Sequence, residues 1–189
     1  MTGHANPTIT AATSHDRARA LETIVTAFER DPFLRLAFPD DDYYAECAPG
    51  FFGALFDQRV GRGTVWVAEG GAAVAMWDAP GAPAVVDDTS GLSAASCAVL
   101  EAYDRSVHAA MPTAAHWYLG VLATDPARHG QGLARAVLER GLLQAASDGL
   151  PAVLETTNPG NLEIYRRLGW QVIAEATEPL PIWILQAGG

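Results

Sequence analysis

Three segments that follow one another between residues 117 and 146 constrain the fold of this chain most strongly. The apolar stretch at 117–124 predicts a strand, and the apolar positions at 133–146 have the spacing of an amphipathic helix. Gly130 and Gly132 lie between them and allow the tight backbone turn that joins a strand to a helix. This order predicts a strand and a helix packed in one α/β layer, with the first N–H groups of the helix unpaired.

The same segment predicts a site for an anion. The unpaired N–H groups and the dipole of a helix start both favour negative charge, and phosphate most of all. The loop lacks the Gly-Lys-Ser/Thr ending of a nucleotide triphosphatase, and its glycines are too close together for the Gly-x-Gly-x-x-Gly fingerprint of dinucleotide-binding proteins. An ordinary surface turn before a helix is the alternative interpretation. The apolar strand before the loop and the amphipathic helix after it favour a ligand that carries phosphate.

A second pattern lies downstream, in residues 158–170. Asn161 and Tyr165 stand four positions apart, so both lie on one face of a short helix predicted at 161–168. Asn161 is expected to cap this helix and Gly169 to end it.

Together the two patterns resemble the Gcn5-related N-acetyltransferase (GNAT) superfamily. The first family motif reads Gln/Arg-x-x-Gly-x-Gly/Ala, and histidine replaces Gln or Arg at its first position here. The six matching residues are His129, Gly130, Gln131, Gly132, Leu133 and Ala134. The second motif, Asn-x-x-x-Tyr followed by Gly-Phe, matches Asn161 and Tyr165, with Trp170 in place of Phe. Shorter segments resemble, more weakly, the puromycin N-acetyltransferase subgroup.

The resemblance implies an α/β fold in a single domain over residues 1–189. A central, mostly antiparallel mixed sheet would be splayed between strands 4 and 5 and flanked by helices. The arm of coenzyme A would pair in the gap with backbone groups of Leu122, Ala123 and Thr124, and the loop at 129–134 would bind the pyrophosphate.

The resemblance also implies roles for the residues of the second motif. Asn161 would bind the pantetheine arm, and Tyr165 would be the general acid that protonates the departing thiolate. The alternative for Tyr165 is a core tyrosine whose hydroxyl is hydrogen-bonded beneath the sheet.

Two further candidates lie near the expected thioester. Glu155 is a carboxylate in the otherwise apolar strand predicted at 152–157, where burial would raise its pKa towards neutrality and suit it as the general base. A partly exposed glutamate, or one that orients the substrate ammonium, is an equal alternative. Tyr118 is the next candidate, because strand alternation places it on the opposite face from Trp117.

The composition argues against some classes of binding partner. A formal charge of −10 argues against a nucleic-acid binder, and no segment is long and uncharged enough to span a bilayer. The N-terminus lacks a signal peptide, and Cys47 and Cys97 are isolated, so we expect a cytoplasmic protein without a metal site. A homodimer is compatible with this sequence. Basic residues gather around the expected cofactor site, at Arg128, His129, Arg135, Arg166 and Arg167.

The acceptor side is expected to come from residues 33–60 and 78–112, which include a loop at 80–91. Most of the tryptophans should pack in the core, although one or two of them would line an acceptor pocket together with aromatic residues from 33–56. The acidic run at 40–42 either attracts a cationic amine or, as we favour, forms a solvated loop. The five tryptophans are Trp66, Trp77, Trp117, Trp170 and Trp183.

We therefore expect an N-acyltransferase that uses acetyl-CoA or another acyl-CoA as the donor. It would act on a small primary amine, such as an antibiotic or natural-product intermediate, by direct transfer in a ternary complex. An N-terminal or protein acetyltransferase is one alternative, and a CoA-binding sensor without catalysis is another. An enclosed pocket would favour the small amine, whereas a peptide acceptor needs an open groove.

Overall fold

Seven strands form one mixed sheet in the computed structural model, which describes residues 7–83 and 89–188. Residues 84–88 of the predicted loop, and the first six residues, lie outside the described residues. The strands are β1 (Ile9–Ala11), β2 (Val65–Ala68), β3 (Ala73–Asp78), β4 (Trp117–Thr124), β5 (Ala152–Thr156), β6 (Gln171–Ala176) and β7 (Ile182–Ala187). Their order across the sheet is β1-β2-β3-β4-β5-β7-β6.

Helices cover both faces of this sheet, as expected. They are α1 (Arg17–Phe28), α2 (Pro32–Ala37), α3 (Asp41–Val60), α4 (Ala94–Ala110), α5 (Leu133–Ser147) and α6 (Pro159–Arg167). Helices α1, α2 and α3 pack with β2, β3 and part of β4 around one core, and α4 covers β6 and β7. Helices α5 and α6 contribute to the core on the other face. None of the helices in the described residues is long and apolar enough to cross a membrane.

The sheet opens between β4 and β5, the neighbouring strands that run parallel. Their pairing covers only Trp117 to Leu119 of β4, although β4 continues to Thr124 and β5 to Thr156. The rest of the β4 edge therefore has no strand partner on that side within the described residues. The predicted splay between strands 4 and 5 is confirmed.

A β-bulge at Gly120 changes which face the β4 side chains occupy. Met76 of β3 pairs with Val121 and the next residue of β3 pairs with Leu119, so Gly120 has no partner on β3. Because a bulge adds one residue, the alternation shifts at this point. Trp117 and Leu119 pack in the core under α5, whereas Val121 and Ala123 pack in the core under α1 and α3.

Candidate active site

A cavity of about 1070 Å³ lies beside the split between β4 and β5. Helices α1 to α4 contribute its far wall, and Asn161 and Tyr165 of α6 reach it from the other side of the split. Tyr118 and Glu155, from the two parallel strands, lie between these walls. The fold thus brings the three residues predicted for catalysis, and the asparagine predicted for cofactor binding, to one place.

Glu155 accepts hydrogen bonds from two tyrosines inside this cavity. The Tyr118 hydroxyl donates to its Oε1 at 2.8 Å, and the Tyr103 hydroxyl donates to the same oxygen at 3.2 Å. Its Oε2 is buried and makes no hydrogen bond within the described residues. Burial raises the pKa of Glu155 from an ordinary value of 4.5 to about 7, although both phenol hydrogen bonds oppose the rise. Glu155 can therefore gain or lose a proton near neutral pH.

Tyr103 is a site residue that sequence reasoning missed. It lies on α4, and its ring stacks on Phe33 of α2 with 3.7 Å between the ring centroids. Its hydroxyl reaches Glu155, 52 positions away in the chain. No local pattern around a tyrosine in an amphipathic helix indicates such a contact.

A buried ion pair borders the same site. The Arg59 side chain is only 5% exposed and donates from Nη2 to Asp78 Oδ2 at 2.7 Å. Gly120 leaves room for it, because a Cβ at that position would lie 3.0 Å from Nη2 of Arg59 and 3.3 Å from the Tyr118 ring. The positive charge of Arg59 acts to lower the pKa of both Glu155 and Tyr118. Sequence analysis did not single out Arg59 or Asp78.

Tyr165 presents an uncommitted hydroxyl to the cavity. Its ring packs edge-on against Trp170, with 5.9 Å between the centroids, and the hydroxyl makes no hydrogen bond within the described residues. Burial, and then the charge of Glu155, raise the pKa of Tyr165 above its ordinary value. The phenol therefore stays protonated at neutral pH and can donate its proton. The alternative for Tyr165, a core tyrosine whose hydroxyl is hydrogen-bonded beneath the sheet, does not describe this side chain, because no hydrogen bond to its hydroxyl is made within the described residues.

The prediction that Asn161 caps helix α6 is wrong. Asn158, not Asn161, caps α6, and its side chain accepts a hydrogen bond from the N–H of Gly160 at 2.9 Å. Pro159 is preorganised for the first helical position, so the helix begins earlier than expected. Asn161 is thereby released to line the cavity, where its Nδ2 donates to Thr156 Oγ1 at 3.3 Å.

The glycine-rich loop has the predicted shape. Gly130 and Gly132 have φ of 76° and 77°, a left-handed conformation that favours glycine. Gly132 precedes α5 and has no side chain to cap it, so the first N–H groups of α5 are left for another partner. An ion pair between Asp125 and Arg19, at 2.5 Å, joins the start of the loop to α1. The loop lies beyond the end of β4 and does not line the cavity.

The Acetyltransferase (GNAT) family model matches residues 19–170 of this chain. The chain belongs to the GNAT family. It is similar in structure to histone acetyltransferase HPA2 and related acetyltransferase from Corynebacterium glutamicum, with 25% identity and a TM-score of 0.65 over 98% of each chain. Membership makes this chain an acyl-transfer enzyme that uses acyl-CoA.

Two more distant solved structures share the fold. Arylalkylamine N-acetyltransferase 2 from Aedes aegypti is 13% identical, with a TM-score of 0.69 over 97% of this chain and 99% of that chain. The NatC complex bound to Gag peptide and CoA contains a chain that is 11% identical, with a TM-score of 0.60 over 98% of this chain and 99% of that chain. One of these structures is thus named for an arylalkylamine, and the other was solved with a peptide and CoA bound.

The residues expected to hold CoA in this GNAT chain fit such a ligand. The open edge of β4 leaves backbone groups for an extended arm with amides, and Leu122 on that edge lines the cavity. Thr124 Oγ1 is buried and makes no hydrogen bond within the described residues, while the Ala123 side chain packs in the core. Of the basic residues near the loop, Arg135 pairs with an acidic neighbour on its own helix. The backbone N–H groups at the start of α5, which have no side-chain cap, are groups that this loop offers to an anion.

The acceptor side of the GNAT cavity departs from one expectation. None of the five tryptophans lines the cavity, and Trp77 and Trp170 are almost completely buried in the core. The prediction that one or two of them would line it is wrong, because their bulk fills the core around α5 and α6. Aromatic residues from 33–56 do line it, as expected, namely Phe33, Phe51 and Phe52.

The acidic run at 40–42 lies outside the cavity. Asp40 caps α3 through the N–H of Tyr43, and Asp41 pairs with Arg35. The three aspartates are exposed to solvent, as expected, but the predicted loop is wrong, because Asp40 caps α3 and Asp41 and Asp42 form its first turn. Among residues 7–83 and 89–188, no group of three or more metal-binding side chains lies together.

Proposed function

We propose that this GNAT enzyme transfers an acetyl group from acetyl-CoA to a small primary amine, directly within a ternary complex. The proposal rests on one observation. A carboxylate whose pKa is about 7, Glu155, and a protonated phenol with no other partner, Tyr165, line the same cavity beside the sheet opening.

The donor would lie along the open edge of β4. Backbone groups of Leu122, Ala123 and Thr124 would pair with the pantetheine arm, Asn161 would bind the same arm, and the N–H groups at 129–134 would bind the pyrophosphate. This placement brings the thioester to the part of the opening where Tyr165 lies.

The chemistry needs a neutral amine and a protonated leaving group. Glu155 would accept the amine proton, directly or through one water, while Tyr118 and Tyr103 hold its carboxylate in place. The nitrogen of the neutral amine bonds to the thioester carbon as this proton passes to Glu155, and a backbone N–H on the β4 edge stabilises the oxyanion. As the C–S bond breaks, Tyr165 gives its proton to sulfur, and the proton held by Glu155 returns to Tyr165 through solvent. Among the described residues that line the cavity there is neither cysteine nor serine, which supports direct transfer.

A Tyr165→Phe variant tests the acid role. We expect the single-turnover rate of thiol release from acetyl-CoA with an accepted amine to fall by about 100-fold, because the thiolate must leave without a proton. The affinity for CoA should stay largely unchanged. A Tyr44→Phe variant is the matched control, since that hydroxyl donates to the Val25 carbonyl and does not line the cavity.

The same assay separates the alternatives. An unchanged single-turnover rate in Tyr165→Phe would remove Tyr165 from the acid role. If the protein binds CoA but releases no thiol with any member of a panel of small amines and N-terminal peptides, the protein is a CoA-binding sensor and not an enzyme. Turnover on the peptides alone would make the acceptor a protein N-terminus.

A Tyr103→Phe variant tests the positioning of the base. Loss of this donor removes a bond that stabilises the Glu155 carboxylate, so the pKa of Glu155 should rise further. We expect the acidic limb of kcat/KM against pH to move upward by about one pH unit, with the plateau changed much less. A fall in kcat/KM at every pH without a shift of the limb would mean that Tyr103 only supports the packing of α4.

A further inference from the structure

Besides Glu155, three carboxylates line the cavity, namely Asp31, Asp78 and Asp104. Asp78 pairs with Arg59 and Asp104 is exposed, and the proposed mechanism does not use Asp31. Asp31 caps α2 with one oxygen, Oδ1, which accepts the N–H groups of Phe33 at 3.0 Å and Leu34 at 3.2 Å. Its other oxygen makes no hydrogen bond or ion pair within the described residues, and the residue lines the cavity. Burial raises the pKa of Asp31, which its two N–H bonds oppose. This carboxylate therefore lies in apolar surroundings without a charged partner.

Four phenylalanines line the cavity together with Asp31, and we call them the aromatic wall: Phe28, Phe33, Phe51 and Phe52. Phe28 and Phe52 lie with ring centroids 5.3 Å apart, and so do Phe51 and Phe52. Phe28 is half-buried and the other three rings are buried, so together they give the cavity an apolar aromatic lining. Such a lining attracts a cation placed over a ring.

The aromatic wall contacts the side chains around the proposed base, Glu155. Phe33, whose N–H binds Asp31, stacks on Tyr103, whose hydroxyl binds Glu155. The charge of Asp31 also contributes to the raised pKa of Tyr103, so the two side chains are near each other. The stacked pair Phe33 and Tyr103 thus connects the two carboxylates, because the backbone N–H of Phe33 binds Asp31 and the hydroxyl of Tyr103 binds Glu155.

Neither Glu155 nor Asp31 forms an ion pair within the described residues, although Arg59 and Arg105 also line the cavity. Arg59 is committed to Asp78, and Arg105 lies exposed at the rim beside the exposed Asp104. A partly buried carboxylate oxygen without a partner is less stable than one in water, and a cationic ligand group offsets that cost.

We propose that the acceptor is an amine with two cationic groups on a flat apolar body. One amine is acylated beside Glu155, the second cationic group binds Asp31, and the body lies on the aromatic wall. The inference rests on the proposed function and adds the substrate class, with Asp31 as the residue that selects for the second charge.

The test compares matched amines that differ by one amino group: benzylamine against p-xylylenediamine, and hexylamine against 1,6-diaminohexane. In the wild type we expect kcat/KM for a diamine to exceed that for its monoamine by about tenfold or more, as a charge-assisted bond allows. The Asp31→Asn variant should lose this preference and change kcat/KM for the monoamines by less than about threefold. The aromatic pair should be favoured over the aliphatic pair in both proteins.

The substitution keeps the fold, since asparagine caps a helix as well as aspartate does. Asp40→Asn is the matched control, because Asp40 caps α3 in the same way but is exposed outside the cavity. Equal kcat/KM for monoamines and diamines in the wild type would overturn this inference while acyl transfer stands, and so would an equal loss for both in Asp31→Asn. If the enzyme acylates neither these amines nor any other small amine, the proposed function itself is overturned.

Discussion

A Glu155→Gln variant is expected to acylate amines about 100- to 1000-fold more slowly than the wild type, because the amine loses its general base. The carboxyl of Glu155, with a pKa of about 7, can accept a proton only once it has ionised. The kcat/KM of the wild type should therefore rise with pH through about 7 and level off above it. In Glu155→Gln this acidic limb should vanish. An acidic limb that survives in the variant at the same pH would assign the titration to another group.

The same variant has a signature in stability that does not depend on turnover. The folded-state pKa of Glu155 lies above its ordinary value of 4.5, so the folded protein binds the proton more tightly than the unfolded chain. The stabilisation is complete below pH 4.5 and is lost as pH rises through 7, by up to about 3 kcal/mol.

Thermal melting at several pH values measures this effect. Between pH 5 and pH 8 the wild type should lose more stability than Glu155→Gln. An exposed control, Glu163→Gln, should follow the wild type, because Glu163 is paired only with Arg167 at the surface of α6. If the Tm of the wild type and that of Glu155→Gln change equally with pH, Glu155 does not have a raised pKa in the folded protein.

A Gly141→Ala variant is expected to lose about 2 kcal/mol or more of unfolding free energy, or roughly 5 to 10 °C in Tm. Gly141 lies on α5 directly over Trp77, and a Cβ there would be 2.0 Å from Cε2 and 2.4 Å from Nε1 of the indole. Trp77 is completely buried, so the indole is surrounded by other core side chains. Alanine favours a helix by about 1 kcal/mol over glycine, which is less than the cost of overpacking a core.

The matched control makes the same substitution in another helix. Gly50 lies within α3 on an exposed surface, and a Cβ there would meet no atom within 4 Å. Gly50→Ala should therefore gain about 0.5 to 1 kcal/mol, since only helix propensity changes. Two variants with equal Tm would show that α5 can shift away from Trp77 without cost.

Local patterns were sufficient where neighbouring residues decide the conformation. The strand β4, the turn at Gly130 and Gly132 and the start of α5 follow from apolar spacing and from the backbone freedom of glycine, which act over a few residues. The position of Asn161 and Tyr165 on one face follows from helical geometry in the same way. The cap of α6 was missed because Pro159 starts the helix earlier than the asparagine pattern indicates.

The sequence alone thus determined the elements around the expected donor, the family resemblance and the position of Glu155 in an otherwise apolar strand. Tertiary structure alone decided what surrounds that carboxylate. Tyr103 reaches Glu155 from α4, Asp31 reaches the same cavity from the start of α2, and the tryptophans are packed away from it. The physical reason is that backbone preferences act between near neighbours, whereas contacts between side chains of distant segments depend on how helices pack against the sheet.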